Sequence, residues 1–182
     1  MNVSLTLLAT ASLLAVMTGF LAFSPSARAG TQILPGAAIQ ADQATLLEIT
    51  STFDRAEEAI RSHDLEALMS LYSQHYRYHG IGKAGIRKIW ADLFARYDHI
   101  TNLHTFSSIK VTGSKTNPSI HITCTGALHG TAKDTKQPVP IDSWHEEVHY
   151  LVKEQGVWRI LGNAGGEAPA VLPFGAAPHP LF

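Results

Sequence analysis

WHEEVHYLVKEQGVWRIL, residues 144–161, is the stretch on which the fold turns. Its opening letters spell H-E-x-x-H, His145 to His149, a spacing that serves zinc when it lies on a helix. There, positions i and i+4 stand on one face about 6 Å apart at Cβ. Here Trp144, Val148, Tyr150 and Val152 alternate with polar residues, which is the period of a strand. On a strand the two histidines are separated by about 13 Å, too far to share one ion. The turn signal Glu154-Gln155-Gly156 then leads into a second short strand, Val157 to Leu161. The segment reads as a β-hairpin.

Upstream the same period of two recurs. Ile100 to Val111 forms one strand, ended by Thr112-Gly113-Ser114, and Ser119 to His129 forms another, ahead of Ile141 to Lys153. Before Ile100 the periodicity is helical. Leu46, Ile49, Phe53, Ala56 and Ile60 mark one face of a helix over residues 42–62. Asp64 is placed to cap a short second helix bearing Leu65, Leu68, Met69 and Tyr72. A brief strand, His75 to His79, meets Gly80 and Gly82. Ile86, Ile89, Trp90, Leu93, Phe94 and Tyr97 then give a third helix a wide apolar stripe. Helices followed by hairpin-linked strands predict an α+β fold, a curved antiparallel sheet packed on three N-terminal helices around a cone-shaped pocket.

The segments HDLEALMSLYSQHYRYHGIG (63–82), GIRKIW (85–90) and EEVHYLVKEQGVWRIL (146–161) together resemble SnoaL-like proteins of the nuclear transport factor 2-like superfamily. The resemblance spans roughly residues 42–161. It implies a cone fold, related to the cystatin-like folds, that hosts isomerases, dehydratases, cyclases and hydrolases beside non-catalytic binding modules, so fold alone does not assign function.

The 182 residues carry 14 Lys and Arg against 15 Asp and Glu, for a net charge of −1, and show no basic cluster. A nucleic-acid partner, which needs a basic face, is set aside. Residues 5–23 are an uncharged apolar run, followed by Ala27-Arg28-Ala29 before Gly30. Small residues at 27 and 29 suit signal peptidase, so residues 1–29 are expected to be cleaved after Ala29 and the protein secreted or periplasmic. An uncleaved N-terminal membrane anchor is the alternative. Residues 30–41 read as an N-terminal arm, 42–161 as the domain, and 162–182 as a Gly/Pro-rich tail. Cys124, the single cysteine, lies between Ile122 and Gly126 and reads as a buried small hydrophobe.

Two residues are candidate catalysts. The segment His104-Thr105-Phe106-Ser107-Ser108-Ile109 resembles the H-x-x-x-N segment of SnoaL-like dehydratases and dehydrochlorinases, with Ser108 where Asn is usual. The resemblance gives His104 the part of general base and makes Asp54, on the first helix, the candidate to orient it. Glu146 is the one charge on the Trp144–Val152 face, and a carboxyl among apolar neighbours is prepared for acid or base work. Tyr78, His79, Trp90, Phe94 and Trp144 are candidate substrate-binding walls for an apolar or aromatic ligand. The reading is a cofactor-independent lyase or isomerase. A non-catalytic ligand-binding or dimerisation module is the alternative, with a homodimer expected in either case. On the opposite sheet face, His121 would come near His149 if the 130–140 connection is a simple hairpin, close enough to share a metal.

Overall fold

The computed structural model describes residues 30–78, 80–114 and 116–162. The leader, His79 and most of the tail lie outside these residues. In chain order the elements are β1 (Gly30–Gln40), α1 (Gln43–Arg61), α2 (Leu65–Ser70), β2 (Tyr72–Tyr78), β3 (Ile81–Gly82) and α3 (Lys83–Arg96). Four longer-range strands follow: β4 (Tyr97–Ser114), β5 (Asn117–Ala132), β6 (Pro138–Glu154) and β7 (Val157–Gly162). The three helices, the turn into the last hairpin and the succession of strands agree with the pattern in the sequence. Gly162, expected to open the tail, closes β7.

Helices α1 and α2 start where a side chain can satisfy free amide groups, whereas α3 starts at Gly82 with no side-chain cap. Asp42 accepts from the Thr45 amide at 2.7 Å to start α1, and Asp64 accepts from the Ala67 amide at 2.9 Å to start α2. The α1 stripe is buried at Ile49, Phe53, Ala56 and Ile60. On α3 the buried positions are Ile86, Trp90 and Phe94, and the Trp90 indole donates to the Tyr72 hydroxyl at 2.9 Å.

The seven strands form one open sheet in the order β1-β4-β5-β6-β7-β2-β3. It is mixed, where the sequence suggested antiparallel throughout. The β4-β5-β6-β7 meander is antiparallel, but β1 runs parallel to β4 and β2 parallel to β7. Residues 30–40, expected as an arm, are therefore an edge strand. Pro35 and Gly36 sit where its register breaks, between Ile33 and Ala38, as an edge tolerates. In the β6–β7 hairpin, Gln155 (φ 52°) and Gly156 (φ 80°) are both left-handed. This is the two-residue turn whose twist suits antiparallel strands.

The largest departure from the sequence reading lies in β6. Glu147 pairs with Cys124 and Trp144 pairs with Gly126, so His145 and Glu146 together oppose Thr125. This is a β-bulge, with Glu146 at φ 52° and its amide donating to the Thr125 hydroxyl at 3.0 Å. The extra residue moves the alternation by one. Trp144, Glu147, His149 and Leu151 share the inner face, which is packed against the helices, while Val148 and Glu146 are exposed.

Candidate functional site

The inner sheet face presents its residues in cross-strand rows. Asn102, Leu128 and Asp142 make one row; His104, Gly126 and Trp144 the next; Phe106, Cys124 and Glu147 the third; and Ile109, Ile122 and His149 the fourth. Side chains in a row stand on one face, so four polar types, from β4 and β6, are gathered across the four rows.

His104 and His149 are both buried, 1% and 0% exposed, and their rings lie 6.2 Å apart between centroids. Phe53 of α1 meets His104 edge-on at 5.0 Å and Phe106 at 4.9 Å. Trp144 lies 5.1 Å from His104 and 6.4 Å from His149. Gly126 makes this cage possible: a Cβ there would come within 2.2 Å of both the Trp144 ring and the Leu103 carbonyl. The Trp144 indole donates to Cys124 Sγ at 3.3 Å. Burial pushes the Cys124 thiol up to about 11, which leaves it protonated and poorly nucleophilic at neutral pH.

Acidic groups border the cage. The Tyr78 hydroxyl donates to Glu147 Oε2 at 2.8 Å. Burial first, and then this carboxylate, raise the Tyr78 phenol well above its ordinary value. The Asp142 carboxyl is also raised, chiefly by burial and to a lesser degree by the nearby Glu147 charge, against the lowering effect of the Ser143 amide. Two imidazoles, two carboxyl groups and a phenol therefore share one desolvated wall.

Of the residues picked from sequence, this wall holds His104, Tyr78 and Trp144. Glu146 is a correction: the bulge turns it to the exposed side, and Glu147 takes the inward position. Trp90 and Phe94 pack on one another in the helical layer at 5.6 Å, and Phe94 stacks on His63 at 4.7 Å. Asp54 is exposed on α1, and Phe53 meets His104 instead. The expected His121–His149 pair is also corrected. His121 opposes Tyr150, while His149 opposes Ile122 on the inner face. Among the described residues, no group of three or more His, Cys, Asp or Glu is arranged to hold a metal ion. Glu147, Asp142 and Asn102 are wall residues the sequence reading missed, and His149 is one it placed on the opposite face.

A separate groove of about 810 Å³ is lined by residues that include Ser73, His75, Lys83, Glu154 and Arg159. There Lys83 donates to the Tyr72 carbonyl and Arg159 pairs with Glu154.

No family model matches the sequence, and no curated protein matches it either. Solved structures do match the architecture. A conserved protein of Planctomyces limnophilus is similar at a TM-score of 0.54 and 17% identity, covering 66% of this chain and 94% of that one. A candidate aromatic ring hydroxylase of Novosphingobium aromaticivorans is similar at 0.50 and 18% identity, covering 68% and 88%. The chain shares the α+β fold of these two structures. A candidate dehydratase of the nuclear transport factor 2-like family from Streptomyces avermitilis is similar at 0.45 and 13% identity, covering 65% and 92%. At these identities the likeness is one of fold, and a fold alone does not assign chemistry. Among the described residues no helix is long and apolar enough to cross a membrane.

Proposed function

We propose that the inner wall is a small-molecule site for cofactor-independent proton transfer, with His104 as general base. The observation that carries this reading is the pair of buried imidazoles, 6.2 Å apart inside an aromatic cage. An imidazole that accepts a proton from carbon needs a desolvated position and a nearby group able to return or relay that proton. His149 stands in relay position, and the Tyr78–Glu147 pair and Asp142 supply acid and acceptor at the border. Phe53, Phe106 and Trp144 offer flat apolar surface, which suits a ring-bearing substrate. The reaction class is a lyase or isomerase step that starts by removing a proton next to a carbonyl.

Deuterium incorporation from D2O into 2-tetralone, followed by mass spectrometry, tests the chemistry. The expected outcome is catalysed exchange that falls at least about 100-fold in His104→Gln, the lower end for a positioned base. Exchange unchanged in that variant removes His104 from the role. Binding of the ketone without any exchange favours the alternative of a non-catalytic ligand-binding module. Export belongs to the same reading, motivated by the Ala27-Arg28-Ala29 site. An intact mass of the exported chain that begins at Gly30 supports cleavage, and one that retains residues 1–29 supports the anchor.

A further inference from the structure

Asn102 is 2% exposed, and both polar atoms of its side chain, Nδ2 and Oδ1, lack a hydrogen-bond partner among the described residues. Burying a primary amide with neither donor nor acceptor satisfied is unfavourable, and native folds keep very few such groups. A leucine of similar volume would take the same place beside Leu128 without that penalty. Asn102 also lies on the same face of β4 as His104, two residues away, or about 7 Å along the strand. That spacing matches the reach of one carbonyl compound bound by both side chains, its oxygen about 2.9 Å from the amide and its α-hydrogen toward the imidazole.

We infer that Asn102 is a catalytic residue that binds the substrate's carbonyl oxygen and stabilises the enolate formed when His104 takes the α-proton. The inference rests on the acid–base reading above and names its substrate class, ring-bearing carbonyl compounds with an acidic α-hydrogen. In the step, the α-carbon's proton passes to the His104 imidazole. The C–H electron pair becomes the new C=C bond, and the carbonyl π pair collects on oxygen, where Asn102 Nδ2–H donates. Protonation of the same carbon from the imidazolium, after exchange with solvent, completes the isotope exchange. Asn102 Oδ1 remains as an acceptor, so a hydroxyl neighbouring the carbonyl makes the fit better. Preorganised donors aimed at a developing oxyanion act most strongly where water is excluded, as here.

The test compares 2-tetralone with tetralin, the same ring system without oxygen, on the purified protein and on Asn102→Leu. Four results are expected. The wild-type protein prefers 2-tetralone over tetralin. Asn102→Leu loses that preference by about tenfold while tetralin affinity stays. Exchange turnover at saturating ketone falls by about 10²–10³. The melting temperature of Asn102→Leu rises, because an unsatisfied buried group has been removed. A lowered melting temperature, unchanged turnover or a wild-type protein with no preference for the ketone each overturns the assignment. If Asn102→Leu does not fold, the side-chain amide resonance of Asn102 in the wild-type protein carries the test. It shifts on adding 2-tetralone and not tetralin; equal response to both, or none, overturns the assignment. The two readings fail separately. Exchange lost in His104→Gln but intact in Asn102→Leu removes Asn102 alone, whereas ketone preference without exchange removes the base and leaves Asn102 as a carbonyl-binding group.

Discussion

Asp142 shows how a single side chain on this wall ties stability to pH. Its carboxyl is raised above the ordinary 3.8, first by burial and then by Glu147. The folded protein therefore binds this proton more tightly than the unfolded chain does. Stability drawn from it is present at low pH and is lost as pH rises from 3.8 through the folded-state value. Replacing Asp142 with Asn removes that dependence. The melting temperature of Asp142→Asn relative to wild type should climb across that window and then level off, as thermal melts at successive pH values will register. A difference that is flat, or that shrinks as pH rises, would contradict the burial of this group. Glu48 has the opposite sign, since its bonds to Lys153 and the Trp158 indole lower it, and it weakens the fold on acidification instead.

At the scale of the element, the β6 bulge decides which residues reach the site. Glu146 sits at φ 52°, a region that favours glycine over any β-carbon-bearing residue. Glu146→Gly should stabilise the protein by about 1 kcal/mol and leave ketone exchange unchanged. Denaturant titration and the exchange assay read the two effects independently, and lost exchange would return Glu146 to the mechanism. The strands themselves were legible from their period, and so was the demotion of H-E-x-x-H. What hid His149 was the face assignment, taken from the run Trp144, Val148, Tyr150, Val152. A better signal stood nearby. The two-residue turn at Gln155-Gly156 sets Leu151 opposite Ile160 and Lys153 opposite Trp158. Had Trp158 and Ile160 been taken as inward, Leu151 and His149 would have followed them there. The bulge itself has no comparable mark, because Glu146 lacks the glycine that usually announces one. Asn102 was hidden for another reason: an asparagine at an inward strand position looks like any other polar alternation until its surroundings are seen to offer it no partner.

For the whole molecule, the sheet is a chain of dependencies that ends in two unequal edges. On one side lies β3, only two residues long and bonded to β2. On the other is β1, whose removal would uncover β4 along Leu103 to Lys110, the segment that carries His104. An uncovered, regular strand edge is a template for pairing with a second chain. Deleting residues 30–41 should lower the melting temperature and convert the protein to higher-order species, detectable by light scattering coupled to size exclusion. A deletion that stays as stable and as disperse as the full chain would show that β1 contributes little. The order of the three helices, β2 and the four strands β4–β7 followed from sequence because each is set by local periodicity. The parallel pairing of β1 did not, since Gly30–Gln40 has little strand character of its own and depends on a partner about seventy residues away.

That separation gives β1 a place in time as well as in space. The β4–β7 meander closes through turns of a few residues, whereas β1 can dock only after α1, α2 and α3 have been laid down and β4 has formed. Pairings between distant segments are entropically late. Folding of this chain is thus expected to finish at its beginning: the first strand in the described residues is the last to find its neighbour. The same strand is then the first to peel away when the native state opens locally.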